Sequence, residues 1–172
     1  LYIEADGKVY ANYNASYMFA SLEGLETINN MEYLDISLTT DMSYLFDYTG
    51  YNASTFNIDI SDWNTSKVEY MAYMFNNTGY NATTWSIGNL NGWNTASVIS
   101  MNYMFAGAGY SAQTWTIGNL SSWNTSNVAY MDRMFENTGY SAQAFAMDLS
   151  NWQTGNVTDM SYMFRNAGSS AQ

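Results

Sequence analysis

The sequence predicts an α/β repeat solenoid whose coils of about 29–30 residues each hold one parallel β-strand and one short helix. Three observations predict it. One fifteen-residue phrase recurs as SDWNTSKVEYMAYMF (61–75), NGWNTASVISMNYMF (91–105) and SSWNTSNVAYMDRMF (121–135). Marker residues keep one beat. From Phe19 through Phe46, Phe75, Phe105, Phe135 and Phe164 the intervals are 27, 29, 30, 30 and 29, and Trp63/93/123/152 and Gly50/79/109/139/168 follow it. Finally, two apolar periodicities alternate inside each unit.

The first is a period of two. Phe56/Ile58/Ile60, Trp85/Ile87, Trp115/Ile117 and Phe145/Met147/Leu149 each share one face of an extended stretch, which predicts a strand. Downstream, Val68, Met71, Met74 and Phe75 stand at offsets 0, 3, 6 and 7, one face of a helix, and the next three units repeat this spacing. Thr65-Ser66 are its expected N-cap, Ser66 and Glu69 having capping-box spacing, and Gly79 its left-handed C-terminus. The 30-residue units carry an extra residue near Gly88 and Gly118, which predicts a small bulge after the strand. Asn64-Thr65, Asn94-Thr95 and Asn124-Thr125 are expected to pair with backbone, or with their own copies, where strand gives way to helix.

Residues 1–13 carry Asp6-Gly7 between two extended stretches and are expected to form a capping hairpin; 14–46 read as degenerate first repeats, and 47–172 as regular repeats of one continuous solenoid. The chain opens without an initiator Met or a signal-peptide run and stops at GSSAQ, where the next strand is due. The natural chain is therefore expected to continue.

Composition narrows the function. With 15 acidic and 4 basic residues the net charge is −11, and Lys8, Lys67, Arg133 and Arg165 are scattered along the chain, which argues against nucleic acid and anionic membranes as partners. Leu, Ile, Val and Phe make up only 30 of 172 residues, but 12 Met, 6 Trp and 16 Tyr at repeat positions supply the missing apolar area of an ordered core. The absence of Cys and His excludes disulfides, thiolate or imidazole metal sites, and His-dependent triads, and no stretch is long enough for a membrane span.

At WNTSKVEYMAYMF and MDLSNWQTGNVTDMSYMF (147–164) the chain resembles the BspA-like repeats of bacterial surface proteins, written roughly LDLSNWDTSNVTDMSYMF. The resemblance covers about residues 14–168 and departs in the longer TGYNATTW-type segment before each strand. It implies a leucine-rich-repeat-like plan and an extracellular, surface-attached protein that adheres or binds, with no catalytic residues to carry over.

Candidate sites were weighed on that basis. Carboxylate pairs, for instance Asp59/Asp62 or Asp148/Asp159, leave a glycosidase-like site open, although the acids sit at positions that vary between repeats, and a calcium ladder meets Gly or Asn where Asp59 and Asp148 have counterparts. Sequons such as Asn52-Ala53-Ser54 say nothing about glycosylation without the host. Tyr44, Tyr73, Tyr103 and Tyr162, with Arg133 in the same column, turn away from the inward face; Tyr73, Tyr103, Tyr162 and Arg133 are the candidate binding row for a protein or glycan. The expectation is a non-enzymatic adhesin or binding module without cofactor or metal. The alternative is a structural spacer or fibre unit that associates end to end, and an ice-binding array would use the one regular Thr column, Thr65/95/125/154.

Overall fold

The computed structural model describes residues 1 and 6–172. A single parallel series of bridges, Asn14–Asp41–Tyr70–Ser100–Tyr130–Asp159, ties each repeat to the next with spacings that match the Phe beat. The chain is a repeat protein in which equivalent residues of neighbouring units lie side by side.

Strands are short. β1 (Val9–Tyr10) pairs in parallel with β2 (Leu34–Asp35), and β3 (Thr55–Asn57) with β4 (Thr84–Ser86), in the register Phe56↔Trp85. Alternation works as expected: Phe56 and Trp85 are buried, while Thr55, Asn57 and Thr84 are exposed. Single bridges Thr27↔Asn57 and Thr84↔Thr114 extend this pairing to the flanking repeats, but the expected strands around Trp115 and Phe145 are not formed as such. Gly88, at φ +85°, takes up the extra residue just beyond β4.

The predicted helices are absent. Among the described residues the helical segments are two 3₁₀ turns, Met31–Tyr33 and Leu90–Gly92, neither on a Val-Met-Met-Phe stretch. Those stretches are successive turns instead. Amides of Met74, Asn76 and Thr78 donate to carbonyls three residues back, while those of Met71, Tyr73, Phe75 and Asn77 donate to the next repeat at Ser100, Asn102, Met104 and Ala106. Tyr73 sits at φ +58° and Asn77 at φ +53°, where no α-helix can pass. Spacing supplies the reason. Rings on this side of the stack lie 4.4–5.5 Å apart, close to the ~4.8 Å of strand pairing, whereas packed helices need about 8–10 Å. Without a helix there is no capping box, and the Glu69 amide donates to Thr40 in the preceding repeat.

The core is nevertheless the predicted one. Val68, Met71, Met74 and Phe75 and their counterparts at 98–105 and 128–135 are fully buried. The Phe column stacks continuously from Phe19 to Phe164, so the degenerate first repeats join the same array. Thr65, Thr95 and Thr125 are buried too, and their hydroxyls donate to the carbonyls of Asn94, Asn124 and Gln153; each Asn side chain accepts the amide two residues on. Three of the four members of the Thr column therefore serve the interior and only Thr154, in the last unit, is exposed, so the column offers no continuous outer face to ice. The first strand of the expected hairpin falls on residues 2–5, outside the described residues, and its second half is β1, which joins the parallel pairing.

Two Trp columns differ in one respect. The indole N–H groups of Trp63, Trp93, Trp123 and Trp152 donate to the carbonyls of Met31, Ile60, Leu90 and Leu120. Those of Trp85 and Trp115 are buried with no acceptor among the described residues, and Phe56 and Phe145 take the same column. Trp93→Phe removes the indole donor from the Ile60 carbonyl, which keeps the Trp63 amide, so beyond the change in packing it is expected to lose about 0.5–1.5 kcal/mol for that bond. Trp85→Phe removes an unpartnered donor and has no such bond to lose, so it should cost less by about that amount. Urea unfolding of both variants checks this, and equal losses would contradict it.

Candidate binding surface

The predicted row exists as a stack. Tyr17, Tyr44, Tyr73 and Tyr103 lie ring on ring at centroid distances of 4.6, 4.6 and 4.4 Å, with planes within 11° of parallel. Arg133 takes the next place, its guanidinium 5.5 Å from the Tyr103 ring and 4.6 Å from that of Tyr162, and Arg165 covers Tyr162 at 4.7 Å. All four predicted residues are thus brought into one column. Every member is held at φ between +54° and +60°, a conformation uncommon for residues other than Gly, Asn and Asp. Stacking and cation–π contact, about 0.5–1.5 kcal/mol per pair, offset that strain.

Replacing Tyr by Arg at 133 puts a charge into the column, and the structure compensates it. The Glu136 side chain, buried, pairs with Arg133 at 3.1 Å and with Arg165. The same column holds Asn76 and Ala106 where the stack is tyrosine, and at Asp47 burial raises the carboxyl pKa while the Asn76 amide, donating at 2.8 Å, lowers it. Two bases that looked scattered in the sequence therefore meet around one acid.

Stacking decides what the row offers. Ring faces are covered by neighbouring rings, so the outer surface receives edges and hydroxyls. Burial chiefly, then the neighbouring Tyr103 and Tyr44, push the Tyr73 phenol up to about 12, and burial raises Tyr44 as well. These hydroxyls stay protonated and able to donate at any physiological pH.

A second stack escaped the sequence reading: Tyr51, Tyr80, Tyr110 and Tyr140, at 5.1, 4.5 and 4.7 Å. Its signal was present, since each of these residues follows a beat glycine in TGYNA, AGYSA or TGYSA.

The carboxylate candidates have another role. Asp59, Asp148 and Asp159 each accept hydrogen bonds from the serine two residues on, which lowers their pKa, whereas a general acid needs a raised one. Asp59 and Asp62 line an open depression with Glu32. Among the described residues no three acids, Cys or His gather as a metal site, and no helix is long and apolar enough to cross a membrane.

No curated protein and no solved structure matches the chain. A family model matches it twice, over residues 13–116 and 79–172, so that nearly the whole chain is covered. The chain, built of stacked repeats with Tyr rows on their outer side, belongs to the family described as Mycoplasma protein of unknown function, DUF285.

Proposed function

We propose that the chain is a non-catalytic binding module of an extracellular, bacterial cell-surface protein of the BspA-like kind, its repeats forming one continuous solenoid of strand and turns. The observation that supports this reading best is the outer row from Tyr17 to Tyr162, a rigid line of phenol hydroxyls repeated at every unit but one. Such a row suits a protein or glycan ligand lying along the stack. Such binding calls for no cofactor, and an acidic chain with four bases disfavours nucleic acid as the partner.

The test is a glycan and host-protein binding screen on the parent chain and on Tyr73→Phe/Tyr103→Phe. This double variant keeps the stacked rings and removes two hydroxyls, so the melting temperature should hold within a few degrees while affinity falls about tenfold, two hydrogen bonds at about 1 kcal/mol each being an upper bound. Unchanged affinity removes the row from the site.

The alternative is a structural spacer or fibre unit built from the same stacked repeats. A chain that binds nothing in the screen yet grows in sedimentation coefficient with concentration is the spacer.

A further inference from the structure

Most surface tyrosines in the central repeats have their ring faces covered by one another. Tyr70 and Tyr130 differ. They share the bridge column Tyr70–Ser100–Tyr130, and because the middle unit carries Ser, the two rings are two repeats apart, about 10 Å, and neither stacks on another aromatic ring. Tyr70 is 42% and Tyr130 50% exposed, while Ser100 between them is only 8% exposed. Ile99, also exposed, lies in the neighbouring column between Glu69 and Ala129, its amide donating to the first and its carbonyl accepting from the second. The acids Asp41 and Asp159 continue the column on either side, Glu69 adjoins Tyr70, and neutral polar groups lie between. The Ser100 hydroxyl donates to the Asn102 side chain at 2.5 Å, and the Asn127 amide donates to the Ala96 carbonyl.

We propose that Tyr70 and Tyr130, with Ser100 and Ile99 between them, form a two-ring platform for an extended, neutral, β-1,4-linked hexose chain. The proposal rests on the binding-module reading and names its ligand class and its stacking residues. A pyranose presents an apolar C–H face that packs on the electron-rich face of an aromatic ring, and such a platform calls for exposed rings that no neighbouring ring covers. In an extended β-1,4 chain successive sugars turn over, so every second sugar offers the same face, an advance comparable to two stacked repeats. The net charge of −11 disfavours acidic glycans, and four side chains are far too small a patch for a protein interface of about 800 Å² per partner.

The experiment uses cellohexaose and N,N′-acetylated chitohexaose as probes, titrated into the 172-residue chain with calorimetric and tyrosine-fluorescence readouts. The parent should bind at least one hexasaccharide. Tyr70→Ala/Tyr130→Ala should weaken binding by at least about tenfold, the loss of two stacking contacts, with melting temperature retained because both side chains are half exposed. Ser100→Tyr places a bulky ring on the ground between the two tyrosines; it should keep the melting temperature within a few degrees and abolish binding. Should neither hexasaccharide bind the parent, or should the double alanine variant bind as the parent does, the proposal is overturned. Host proteins or other glycans still captured in the screen would then leave the binding-module reading standing, and a chain that captures nothing removes both.

Discussion

Met104→Asp is expected to abolish cooperative folding. Met104 is fully buried in the middle of the stack; its carbonyl accepts the Phe75 amide from the preceding repeat, and the Phe105 amide beside it donates to Met134 in the next. An ionised carboxylate there has no partner, and burying it costs several kcal/mol even after local relaxation. Protonation exchanges that for an acid group without a hydrogen bond, which is still unfavourable by about 1–3 kcal/mol. Either way the loss is a large share of the ~5–15 kcal/mol that holds a domain of this size. Circular dichroism and calorimetry should show no native transition, whereas Met104→Leu, which conserves volume, should lose less than about 1.5 kcal/mol. A soluble Asp variant melting with the parent would place this column outside the core.

Gly109→Val should be nearly as damaging, for a backbone reason. Gly109 lies at φ +56°, and a Cβ there would stand 3.0 Å from Cδ1 of Trp115 and 3.0 Å from Cγ of Trp85, both of them buried rings. A β-branched residue in the left-handed region costs about 1–3 kcal/mol, and the overpacking of two stacked indoles costs a similar amount again. Gly155 has an ordinary φ and no atom within 4 Å of where its Cβ would be, so Gly155→Ala is the matched control and should be close to neutral. Urea midpoints compared at constant m-value measure the difference. Similar midpoints for the two variants would show that the glycine beat has another cause.

Gly79 and its counterparts were legible as left-handed positions, although they close turns and not helices. Offsets of 0, 3, 6 and 7 misled because a run of turns closed by bonds three residues long places Val68, Met71 and Met74 inward as readily as a helix does. A finer signal pointed to turns. Asn77, Gly107, Asn137 and Asn166 exchange at one column, and Asn and Gly share chiefly their tolerance of positive φ, which all four adopt. In the candidate site, the Tyr73 column was legible but its covered ring faces were not. Nor was the lack of ring stacking at Tyr70 and Tyr130, since a column that reads Tyr, Ser, Tyr shows no regularity along the chain.

The sequence by itself determined the repeat length, the unit boundaries and the inward residues, because a side chain that must be buried once per unit recurs at the unit's interval. Tertiary structure alone decided how the backbone between strands is closed and which tyrosines stack on one another. Both depend on the distance between neighbouring repeats. At about 4.8 Å an amide reaches a carbonyl of the next repeat and flat rings lie in contact, so turns replace helices, like rings cover like, and a single serine between two tyrosines leaves them unstacked.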